Sequence, residues 1–320
     1  MKRISPAIAL LLIAPVVGEL VSGHQAPAEF FNPIVFLALA LPYGCGALLC
    51  REFTRRWRSG WPGMLFLGAA YGLYEEGVVS RALFNPEWHE AMALAGFDNV
   101  AGFNWTYGTM LVHFHVTISV VSSVLLAEML FPARRHERWL TNGQAALCGA
   151  VLALWAPVLA WLARSDDPLY MPPLHLWIVI STLIVLLVLA ARFVRSPAPV
   201  RDQRAVPTPV WFYVAGMLST TVVLGTVLIL PESGWHPPLR FSVPLLIAFD
   251  ALTLSLLVRW SGGGGAWEDR HRLALVAGWL TFFLVVSALG DLERFEGRTL
   301  VAAATLAALI ILWRRIAPAR

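Results

Sequence analysis

Charge is what this chain has least of. Only 14% of its 320 residues are charged, where a soluble domain carries roughly 25%. Lys2 is the one lysine, so arginine supplies nearly all of the +4 net charge. Such a balance reports membrane topology and gives no reason to expect a nucleic-acid partner. Cysteine is scarce as well. Cys45, Cys50 and Cys148 all fall in or beside apolar runs, which excludes a disulfide framework and a CxxC metal motif. No alternating apolar and polar pattern is present, so a transmembrane barrel is excluded too. The stretch 84–104 has no lysine or arginine at all.

What remains is hydrophobic: 58% of the residues. The chain reads as an all-α, polytopic transmembrane helical bundle of the plasma (inner) membrane. About ten apolar runs can each cross roughly 30 Å of hydrocarbon. They lie near 4–22, 33–50, 61–83, 105–131, 144–163, 174–191, 210–230, 241–260, 273–291 and 300–313. Basic residues test the count. With the N-terminus inside, nineteen Lys and Arg fall on inner segments and four on outer ones, so both termini are expected in the cytoplasm. The opening MKRISPAIALLLIAPVVG also matches a signal peptide, so cleavage within residues 1–26 stays open.

Punctuation divides the chain further. SPAPVRDQRAVPTP, residues 196–209, reads as a cytoplasmic linker between helices 1–6 (1–195) and helices 7–10 (210–320). Asn32-Pro33 and Asn85-Pro86 are both helix starts, Asn as cap and Pro in the first turn. The second predicts a short helix over 86–95 that stops at Gly96 and covers the outer face. SGGGGAWEDRHR, 261–272, reads as a flexible inner loop.

Ionisable groups inside the spans are the functional signal, because a charge in hydrocarbon costs about 2.5–3.5 kcal/mol on insertion scales. At 1.5 Å per residue, Glu75 sits about 9 Å below the outer face, Glu19 at a similar depth, and His113 and His115 roughly 12–15 Å down. Arg81 and His24 stand just above. Glu75, Glu76, His113 and His115 are therefore the catalytic candidates, with Glu19, His24, Arg81 and Ser119 in support. A purely structural knot tying three helices together uses the same residues. Helical phase separates the details: Glu75 and Glu76 point 100° apart, and His113 and His115 point 200° apart. His115 shares a face with Gly108, Ser119 and Ser122, which favours it over His113. Asp250 reads as solitary in mid-span, Glu128 as a partner for Arg134, and Asp291 and Glu293 as interfacial.

Glu75-Glu76 followed by Arg81, with membrane histidines after them, resembles the CPBP family of intramembrane proteases, which includes the CAAX prenyl endopeptidases. Four residues separate Glu76 from Arg81 where that family has three. His115 and Ser119 give H-x-x-x-S where it has H-x-x-x-N, and one span carries both histidines where the family uses two. The resemblance implies a glutamate that activates water and a histidine that stabilises charge or binds a divalent metal such as zinc. The substrate is open between a small molecule, a lipid and a peptide, with membrane lipid as the surrounding partner. A proton-coupled transporter is the other active reading.

Overall fold

Capping chemistry opens the helices near the expected places. Asn32 Oδ1 accepts from the Ile34 N–H at 2.9 Å, and Pro33 takes the first helical position. The computed structural model describes residues 4–94, 98–162, 169–195, 206–236, 238–261, 267–289 and 297–316. The linker residues 196–205, the glycine run 262–266, Gly96, Asp291 and Glu293 lie outside the described residues.

The principal helices in chain order are α1, Pro6–Pro15 continued by a π-helical turn Val16–Val21; α2, Pro33–Trp57; and α3, Gly60–Tyr74 continued by a π turn Glu75–Val79. Then come α4, Trp105–Leu130, whose middle, His115–Ser122, is π-helical; α5, Asn142–Leu162; and α6, Leu174–Phe193. The last four are α7, Pro209–Leu224 with a π turn Gly225–Ile229; α8, Leu239–Trp260; α9, Asp269–Leu289; and α10, Arg298–Arg315. The architecture is all-α.

Seven of these, α2 and α4 to α9, are long and apolar enough to cross a membrane. The other three of the ten expected runs are helices too, but α1 is shorter, α3 carries two glutamates, and α10 has arginine at both ends. α4 is the hub. Its apolar window is 83% buried, against 17% for α5, α6 and α8, which leave most of their side chains facing outward. α7 and α9 form the tightest pair. A Cβ at Gly278 would collide with the Tyr213 carbonyl, so only glycine allows that approach. α8 and α9 both pack on α4, which joins the C-terminal helices to the N-terminal ones.

Arg51, Arg55, Arg135, Arg192 and Arg272 collect at one end of the bundle. Arg51 is buried, donates to Glu128 at 3.1 Å and to the carbonyls of Arg135 and Glu137, and stacks on Trp139. Arg55 reaches the same Glu128 oxygen at 2.8 Å. Arg135 and Arg272 share Asp269, and Arg192 lies over Trp57. Glu128 therefore answers Arg51 and Arg55 rather than Arg134, because α2 ends directly beside the end of α4.

The opposite end holds residues 84–94 and 98–104. Asn85 Oδ1 accepts from the Glu87 N–H at 3.0 Å, and Trp88 N–H bonds back to the Asn85 carbonyl. That turn uses up the positions where the short helix was expected to begin. Helical winding starts only at His89, as a 3-10 run His89–Leu94 packed on the π turn of α7. An antiparallel ribbon follows, Asn99–Val100 with Phe103–Asn104. Asn104 ties it down by donating to the carbonyls of Ala82 and Asn85. Asp98 caps α4 by accepting from the N–H groups of Thr106 and Tyr107, and burial pushes its carboxyl above the ordinary aspartate range.

Candidate intramembrane acid–base site

The π turns locate the site. A π turn adds one residue to a helical turn and widens it, and such turns concentrate at functional positions. Three of the four here carry Glu19, Glu75 with Glu76, and His115 with Ser119. The end of α3 and the middle of α4 meet at these turns. Glu76 Oε1 and His115 Nε2 are 2.8 Å apart, with His115 fully buried and the Glu76 side chain 14% exposed. The second Glu76 oxygen accepts from Ser80 Oγ at 2.8 Å. A carboxylate at Nε2 fixes the imidazole, placing the ring proton there and the lone pair on Nδ1. Nδ1 has no partner among the described residues, and neither does the buried Ser119 Oγ one turn further on.

Aromatic rings wall the pair in. Tyr43 and Tyr71 lie 6.2 and 5.6 Å from the His115 ring centre, and Phe114 meets it edge-on at 5.4 Å. Gly72 makes the approach of α3 to α4 feasible, since a Cβ there would stand 2.9 Å from His115 Cβ. Glu75 lies near Tyr43, Tyr71 and Tyr74. One of its oxygens, Oε2, is buried without a hydrogen-bond partner among the described residues. Tyr43 reaches the Glu19 carboxyl group, so α1 joins the same cluster through α2.

The remaining candidates divide. His24 is exposed, bonded to Ser22 Oγ at 2.8 Å and set edge-on to Phe114, at the rim of the cluster. Arg81 is drawn off. It adopts a left-handed backbone (φ 65°), donates to the Tyr170 carbonyl at 3.0 Å and lies over Trp177. It pins the segment before α6 and pairs with no carboxylate among the described residues. His113 faces the other side of α4, where Nδ1 meets Asp250 Oδ1 at 2.8 Å. Asp250 is thus not solitary: α8 brings it across 137 positions of sequence. Sequence reasoning also missed Tyr43 and Tyr71. Tyr43 leaves no trace beyond being a polar aromatic within an apolar run, whereas Tyr71 stands four residues before Glu75, on the same helical face.

The residues do not assemble a metal site. Among the described residues no three His, Cys, Asp or Glu side chains converge at ligand spacing. His113 and His115 each face a single carboxylate, Asp250 and Glu76, so neither shares a ligand set with two further donors.

One comparison places the chain. A family model matches residues 8–234, which include all but the first two residues of α1, the whole of α2 to α7, and every residue of the Glu76–His115 cluster. The chain belongs to an uncharacterised membrane protein family. No curated protein and no solved structure gives a match. The family match adds nothing to the intramembrane-protease resemblance. The structure also departs from that motif, with Arg81 bonded to the Tyr170 carbonyl and paired with neither glutamate, and His113 held by Asp250.

Proposed function

We propose that this family member crosses the plasma membrane ten times with both termini in the cytoplasm, and that Glu76 and His115 form an acid–base centre. The reaction we assign to it is hydrolysis of a substrate drawn from the bilayer, a lipid or a membrane-embedded peptide. The observation that carries the reading is the 2.8 Å Glu76–His115 pair with an unpartnered Nδ1. With Glu76 holding the Nε2 proton, Nδ1 is the free base. It takes a proton from water as the oxygen adds to the substrate carbonyl, then returns it to the leaving group, and Glu76 stabilises the imidazolium between those steps. Ser119 and Glu75 supply the remaining free polar atoms for water and substrate. The centre is closed in this state, since Nδ1 and Ser119 Oγ are both buried, so α3 and α4 must part to admit a substrate.

One observation favours a second reading, a proton-coupled carrier. α4 holds a second imidazole–carboxylate pair, His113–Asp250, two residues from the first and on its opposite face. Membrane carboxylates and histidines are common proton relays. Reconstitution separates the two. Protein in liposomes of total bacterial lipid is followed by mass spectrometry for cleaved lipid or peptide, and by an enclosed pH dye under a potassium diffusion potential. Hydrolysis predicts product formation that falls at least about 100-fold in Glu76→Gln and His115→Gln, the scale of general-base catalysis. A proton current lost in the same variants, without product, establishes the carrier. If the wild type gives neither, the acid–base reading fails and the cluster is structural.

A further inference from the structure

A cavity lies away from the Glu76–His115 centre. It has a volume of about 430 Å³ and lies between α3, α4, α7, α8 and α9, on the His113 side of α4. Its walls are apolar, with Trp61, Trp267 and Trp279 among them. It is not a sealed void, because its lining residues Ile247 and Leu254 are 55% and 39% exposed. Asp250 is the one charged residue of its lining, and no lysine or arginine lines it among the described residues. The Asp250 side chain is 33% exposed, so its carboxylate is accessible while Oδ1 is held by His113. Thr109 and Thr117, also in the lining, spend their hydroxyl protons on the carbonyls of Trp105 and His113, which leaves oxygen lone pairs toward their surroundings.

We infer that this cavity binds a lipophilic cation, an amphiphile whose positive group sits at Asp250 and whose apolar body lies against α8 and the tryptophans. A ligand pocket of this size is mostly apolar with a few polar groups that fix orientation, as here. Its sign of charge is set by Asp250, whose Oδ1 meets the His113 ring and which is the lining's one carboxylate among the described residues; in surroundings of low dielectric it attracts a cation and repels an anion. Aromatic walls favour cations over neutral bodies of the same shape. A lipid chain alone leaves the exposed part of the Asp250 carboxylate with no group to bind it beyond the His113 ring. Binding needs no turnover, so the inference stands or falls independently of the reaction assigned to Glu76 and His115.

The test uses two probes of nearly the same shape and opposite charge. Tetraphenylphosphonium and tetraphenylborate are equilibrated with the full-length protein in nanodiscs of zwitterionic lipid, and the saturable component is measured by competition with unlabelled probe. Tetraphenylphosphonium should bind saturably and tetraphenylborate should not. Asp250→Asn should weaken the cation by at least about tenfold, and Asp250→Glu should retain it. Leu254→Trp, which fills the cavity and leaves the carboxylate intact, should abolish it. Equal binding of the two probes, an unchanged Asp250→Asn, or the absence of any saturable component overturns the inference and leaves the cavity to lipid chains only. If Asp250→Asn does not fold, Leu254→Trp decides: undiminished cation binding in that variant overturns the inference by itself.

Discussion

At the scale of single residues, the site is a matter of which neighbour each polar atom meets. His115 could be anticipated, because depth and the small residues on its face single it out within α4. Asp250 could not, because its partner is far off in sequence and no local pattern foretells which helix packs where. The partners of Arg81 are illegible for a related reason: they are backbone carbonyls of another segment, and carbonyls leave no mark in a sequence. Gly72 is the residue on which the contact of α3 with His115 most depends. Gly72→Ala places a methyl group against His115 Cβ, and overpacking of this kind costs about 1–3 kcal/mol. Its expected outcome is a lower apparent Tm in detergent and, if the liposomes show an activity, a loss of it comparable to that of His115→Gln. An alanine variant equal to wild type in both would show that α3 and α4 have slack at this point.

At the scale of elements, the helices were legible and their interruptions were not. Runs of apolar residues with proline and asparagine at their starts reveal where helices lie. The π turns at Val16–Val21, Glu75–Val79 and His115–Ser122 leave no such signal, since they are set by packing between helices rather than by local propensity. The segment after Asn85 shows the same limit. Its capping turn is legible from Asn85, but the pinning by Asn104, the last residue of the ribbon, is not, and the short helix forms later and tighter than expected. Where α2 meets α4, Arg51 links four groups from one buried position. Arg51→Leu leaves the carbonyls of Arg135 and Glu137 without their donor and Glu128 with Arg55 alone. A drop of about 3 kcal/mol is expected, as for breaking a buried ion pair, and should appear as a lower apparent Tm with the polar cluster's chemistry unaffected.

At the scale of the whole molecule, the arginines define one end of the bundle, and this much was readable from their spacing alone. The structure adds that the arginine-bearing ends of α2, α4, α6 and α9 touch one another through shared partners. A reporter fused after Arg58 should therefore be cytoplasmic; activity of a periplasmic reporter at that position would reverse the proposed orientation. The central claim concerns the opposite half of the bundle, where α3 and α4 bring a carboxylate and an imidazole together inside the membrane. A double-mutant cycle on Glu76→Gln and His115→Gln tests it most directly, with unfolding of each variant measured in nanodiscs. Contact between the two side chains predicts a coupling of about 0.5–3 kcal/mol. Strictly additive losses, with each variant as costly in the presence of the other as alone, would contradict the pair and the acid–base centre built on it.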